Sequence, residues 1–67
     1  MRSLPFVIVF LWKGRSEEVK ERIIKGITKV LSDEGVAESS VSVVIEEVPK
    51  ENWGIGGQPA SKKSRQG

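Results

Sequence analysis

The 67-residue sequence contains neither cysteine nor histidine. The first absence rules out disulfide staples and thiolate chemistry, and the second removes the commonest general base and metal ligand. The carboxylates form no cluster of metal-ligand spacing, so no metal is expected. No apolar stretch approaches the roughly 20 residues of a membrane span. The opening residues lack the apolar run and small-residue cleavage site of a secretory signal. These absences give the expectation of a cytoplasmic protein with no membrane partner. What remains for catalysis is a short menu of carboxylates, lysine, serine and a chain terminus.

Charge of one sign is also scarce once the tail is set apart. The net charge is +2, with 11 basic and 9 acidic residues. Setting aside Lys62, Lys63 and Arg65 leaves 8 basic against 9 acidic residues, so the basicity belongs to the C-terminus. That terminus is rich in Ser, Gln and Gly and has no aromatic side chain to stack on a base. A nucleic-acid partner is therefore not expected.

A chain of this length is one domain at most, and such a domain buries only about 60% of the surface its unfolded chain exposes. Small domains compensate with disulfides, metals or partner copies. With the first two excluded, self-association is the remedy left.

Pro5-Phe6-Val7-Ile8-Val9-Phe10-Leu11-Trp12 is a continuous apolar run rich in β-branched and aromatic residues, bounded by Gly14. It reads as a strand buried on both faces. Ser16 suits a helix N-cap, with Glu17 and Glu18 where the helix dipole favours negative charge. Val19, Ile23, Ile24, Ile27, Val30 and Leu31 then recur at helical period as one apolar stripe. Gly35 is the natural residue just beyond the helix end. Residues 41–48 read as a second strand, stopped by Pro49. A strand, a helix and a strand make a parallel crossover unit, which a two-stranded sheet cannot stabilise alone. Glu51 to Gly57 is glycine-dense yet carries Trp53 and Ile55, so it is expected to turn tightly and pack. The chain from Ala60 onward, with no apolar residue after it, is expected to fray unless a neighbour pins it. The domain organisation is then an N-terminal extension at 1–4, a single domain at 5–60 and a basic tail at 61–67.

Candidate chemistry read from residues alone is sparse. Glu46 and Glu47 are adjacent on a strand, so they point to opposite faces and cannot act as one catalytic pair. A solvated strand end is the favoured reading for both. Gly54-Ile55-Gly56-Gly57 is followed by neither a helix pattern nor a Lys-Ser/Thr pair, which argues against a phosphate loop.

Pro5 opening a strand, Gly14-Arg15-Ser16 ahead of the helix, and Trp53-Gly54-Ile55-Gly56-Gly57 later in the chain occur in an order that resembles the 4-oxalocrotonate tautomerase family. The resemblance runs from Pro5 to about Lys63 and takes in Ala60-Ser61-Lys62. It implies an α+β fold of β-α-β subunits with parallel strands. Two subunits would pair into a four-stranded sheet backed by two helices, and three such dimers would form a hexamer. It further implies a cofactor-free isomerase acting on a small enol or keto carboxylate. In that family an N-terminal proline amine, here matched by Pro5, moves the proton. Arg15 matches the arginine that holds a substrate carboxylate, and Trp53 falls where an aromatic side chain walls the pocket.

Two departures shape these expectations. Residues Met1 to Leu4 precede Pro5, and a proline inside a chain is a tertiary amide with no basicity. The expected active form therefore starts at Pro5, as it would if translation began at an alternative initiator at Leu4. Ser42 stands where the diacid tautomerases place an arginine from a neighbouring subunit. A hydroxyl cannot supply that charge, so a monocarboxylate is expected in preference to 2-hydroxymuconate. A catalytically silent or structural subunit is the alternative reading, and a decarboxylase- or dehalogenase-like activity a third. The oligomer is expected to be a homo-oligomer, with a paralogous second subunit as the other option.

Overall fold

The computed structural model describes residues 4–63 of the chain. The run Phe6–Trp12 forms strand β1 and Ser42–Val48 forms strand β2. They pair in parallel, in register from Phe6 opposite Ser42 to Trp12 opposite Val48. Between them lies helix α1, Glu17–Asp33. Ser16 caps it as the sequence suggests, its hydroxyl accepting the Val19 backbone N–H at 3.2 Å, which satisfies one of the free amides of the first turn. At the far end Gly35 takes a φ of 99° and its N–H bonds the Ser32 carbonyl at 3.0 Å. A side chain at that φ would be strained, so glycine is the residue that lets the chain leave the helix. A 3-10 turn at Glu38–Ser40 leads into β2.

The apolar stripe of α1 is narrower than its sequence suggests. Val19, Ile23, Ile27 and Leu31 are half-buried, whereas Ile24 is 38% and Val30 is 63% exposed. The parallel strands offer the helix one flat face, and residues about 100° off its centre do not reach it.

The expectation that β1 is buried on both faces fails within one chain. Val7, Val9 and Leu11 are half-buried, but Phe6 is 63%, Ile8 47% and Phe10 58% exposed. The reason is that the fold supplies one covering layer, α1, for a sheet with two faces. Among the described residues only Ala60 is fully enclosed.

After Pro49 the chain makes a 3-10 turn at Lys50–Asn52 and then a minimal hairpin of β3, Gly54–Ile55, and β4, Gln58–Pro59. Gly56 and Gly57 form its two-residue loop, both at positive φ, 60° and 85°. Two successive positive φ values match the twist of a tight hairpin and are accessible to glycine at little cost. The expected fraying from Ala60 does not occur at its start. Ala60–Lys63 forms a helical turn, α2, and the Ala60 N–H donates to the Trp53 carbonyl at 2.7 Å. Residues 1–3 and 64–67, which hold most of the expected extension and the end of the basic tail, lie outside the described residues.

Candidate active site

The two ends of the β1/β2 sheet hold different parts of the predicted site. At the start of β1, Pro5 is half-buried and its carbonyl accepts the Ser42 backbone N–H at 3.1 Å. Parallel pairing thus brings Pro5 and Ser42 together, with the Ser42 side chain exposed. In this chain the Pro5 nitrogen is bonded to the carbonyl of Leu4 as an amide.

Arg15 and Trp53 lie at the opposite end. Trp12, the last residue of β1, meets Trp53 edge-on, with ring centroids 5.8 Å apart and planes at 78°. That geometry sets the positive rim of one ring against the negative face of the other. The Lys50 ammonium sits 4.8 Å from the Trp12 ring centroid, a cation held by the indole quadrupole. The Trp12 indole N–H is buried and meets no acceptor among the described residues.

Arg15 is exposed in the turn that links β1 to α1. No carboxylate among the described residues lies within ion-pair distance of it. The turn is held on both sides. The Lys13 N–H donates to the Val48 carbonyl at 3.1 Å, and Gly14 turns the chain with a φ of 115°.

A strand the length of β1 spans roughly 20 Å at about 3.3 Å per residue. Within one chain, Pro5 and Arg15 are therefore too far apart to touch one small substrate. The fold brings Pro5 to Ser42 and places Trp53 at the end of the sheet that carries Arg15, but it does not join the two pairs.

Sequence reading passed over three residues here. Trp12 was counted only as strand, although its parity puts it on the open face with Phe6, Ile8 and Phe10. Lys50 gave no periodic signal. Glu47 read as solvated, yet its carboxylate lies 3.0 Å from the Lys20 ammonium. That ammonium's hydrogen bond is the main reason the Glu47 carboxyl titrates below its ordinary value, with the Gly14 amide and the Lys13 charge acting in the same direction and burial opposing. Glu46, as its opposite parity requires, is exposed. No group of three His, Cys, Asp or Glu side chains suited to a metal ion occurs among the described residues. No helix among them is long and apolar enough to cross a membrane.

Residues 5–63 match the family model described as "Tautomerase enzyme". The chain belongs to the tautomerase family. It is 41% identical over 63 residues to the 2-hydroxymuconate tautomerase of Comamonas testosteroni, an alignment covering 92% of this chain and all of that one. Among solved structures, it superposes with a TM-score of 0.86 on one from work on the 4-oxalocrotonate tautomerase isozymes of Methylibium petroleiphilum. The two are 42% identical, with 91% of this chain and 100% of the other covered. A fused 4-OT solved as an asymmetric trimer aligns at 30% identity and a TM-score of 0.81, covering 88% of this chain and 50% of the fused one. The β-α-β fold is accordingly that of the 4-oxalocrotonate tautomerases, and this family member is an isomerase of that type.

Proposed function

We propose that the chain is a cofactor-free tautomerase whose Pro5 amine carries a proton between oxygen and carbon of an enol or dienol carboxylate. The observation that carries this reading is that the family match opens at Pro5, leaving Met1 to Leu4 outside it. With those residues gone, Pro5 presents a secondary amine. An ordinary α-amine titrates at about 7.7–8.0, and an apolar wall or a neighbouring guanidinium lowers that value towards neutrality, where a proton shuttle works best. The amine takes the enol hydroxyl proton as the oxygen's electron pair forms the ketone. The former C=C pair forms a new C–H bond at the far carbon with the proton of the prolinium, which leaves Pro5 as the free amine again. Arg15 holds the substrate carboxylate through paired N–H bonds, and Trp53 shields the amine from water.

The span between Pro5 and Arg15 requires that one active site draw these residues from different copies. The open face of Phe6, Ile8 and Phe10 supports the same conclusion, because three neighbouring exposed apolar side chains mark an association surface. A homo-oligomer in which two sheets join and cover that face is the arrangement proposed, in a hexamer of three such pairs.

Ser42 favours a monocarboxylate substrate. A second reading, 2-hydroxymuconate itself, is favoured by the name of the Comamonas testosteroni relative. The two separate by the ratio of kcat/KM for a pyruvate enol and for 2-hydroxymuconate. A ratio strongly in favour of the diacid would overturn the Ser42 argument. The proton-transfer reading itself is tested by assaying the pyruvate enol with two proteins, one starting at Met1 and one at Pro5. Activity confined to the second is expected. Inactivity of both, with the oligomer intact, would leave a silent structural subunit.

A further inference from the structure

We propose that Glu47 is a positioning residue that fixes the turn carrying Arg15, so that the guanidinium is presented to the substrate carboxylate. The proposal rests on the reading of Arg15 given above.

Arg15 stands within the four-residue link from Lys13 to Ser16 that joins β1 to α1, and is itself unrestrained by any ion pair among the described residues. A long, flexible, exposed cation grips a carboxylate well only when its backbone is fixed, since placement errors of about 1 Å can cost on the order of 100-fold in rate. Glu47 lies on the helix-facing side of β2, opposite Leu11 in the register. Its carboxylate reaches the Lys20 ammonium at 3.0 Å, with both side chains less than one-third exposed. Lys20 belongs to the first turn of α1, and its backbone N–H bonds the Ser16 carbonyl at 3.1 Å. On the strand side, the Lys13 N–H donates to the carbonyl of Val48, the residue after Glu47, at 3.1 Å. The Glu47 carboxylate thus anchors the helix-side shoulder of the turn to β2, while the Val48 carbonyl holds the strand-side shoulder, with Arg15 between them. The groups facing the Glu47 carboxylate are cationic or dipolar donors, Lys20, Lys13 and the Gly14 amide. Glutamine keeps the shape but loses the charge that holds Lys20.

The test is the binding of pyruvate to the full chain, followed by quenching of tryptophan emission. It is run on the unaltered protein, Glu47→Gln, Arg15→Ala and the double variant, with oligomer size checked for each. Pyruvamide, which lacks the carboxylate, serves as the second probe. Glu47→Gln is expected to weaken pyruvate binding by about tenfold, leave pyruvamide unchanged and add nothing in the Arg15→Ala background. Lys20→Gln is expected to reproduce the effect from the helix side, and Lys20→Arg to restore binding. The proposal is overturned if Glu47→Gln binds pyruvate normally, weakens both probes alike or costs as much without Arg15 as with it. Should Arg15→Ala bind pyruvate normally, or the unaltered protein not bind it, the carboxylate-gripping role of Arg15 fails and the proposal goes with it.

Discussion

Replacing Phe10 by alanine is expected to weaken the assembly, and with it the fold of the β-α-β unit, which one copy does not stabilise alone. Phe10 is 58% exposed on the open face of β1, flanked there by Phe6 and Ile8. Taking about 200 Å² for a phenylalanine side chain, some 115 Å² of Phe10 is left for a neighbouring copy to cover. At about 25 cal/mol per Å², this corresponds to about 3 kcal/mol per copy. A symmetric pairing uses the residue twice, so the loss approaches 6 kcal/mol per pair, or roughly four decades in dissociation constant. Sedimentation across a dilution series reads this directly. The unaltered chain is expected to stay oligomeric where the variant is monomeric, and the variant's melting temperature is expected to rise with its concentration. An unchanged assembly size and an unchanged melting temperature throughout the series would refute the claim that this face is covered by another copy.

The other expectations can be checked with single substitutions. Arg15→Ala in the form starting at Pro5 is expected to lose about 1.5–3 kcal/mol of transition-state stabilisation, or roughly 10- to 150-fold in kcat/KM, and equal turnover would remove Arg15 from the mechanism. Ser42→Arg is expected to raise kcat/KM for 2-hydroxymuconate relative to a pyruvate enol, so an unchanged ratio would count against the monocarboxylate reading. Ser16→Ala removes the cap on Val19 and is expected to cost about 1 kcal/mol in chemical denaturation. For Glu47, the folded carboxyl titrates below its ordinary value of 4.5. Its stabilising contribution is therefore complete above that value and is lost as pH falls through the folded one. Glu47→Gln should consequently flatten the acid side of the melting temperature against pH, and an acid limb as steep as that of the unaltered protein would contradict the Lys20 pairing.

Local elements were legible in the sequence because local chemistry decides them. Ser16 capping α1, Gly35 ending it and Pro49 closing β2 each follow from what one side chain does to its own backbone. The environment of each face was less legible. The β1 run carries apolar residues at both parities, so it announced two buried faces, while the chain has a covering layer for one. The same pattern that misread the single chain is the basis for proposing a second copy. Ala60 was misjudged because its anchor, the Trp53 carbonyl, is seven residues away across a hairpin that composition alone does not reveal. Glu47 was misjudged because its partner Lys20 lies on another element, and only the strand register sets them face to face. The candidate site residues were picked out by the order of their motifs, whereas their division between the two ends of the sheet required the fold.

Titration of the Pro5 nitrogen tests the central claim most directly. In the form starting at Pro5, labelled with 15N at proline, the amine is expected to titrate as a single group below the 7.7–8.0 of an ordinary α-amine, and the same midpoint should govern the rise of kcat/KM with pH. A rate profile that ignores that midpoint, or full activity with Pro5 still acylated by Leu4, would contradict the assignment of Pro5 as the proton carrier.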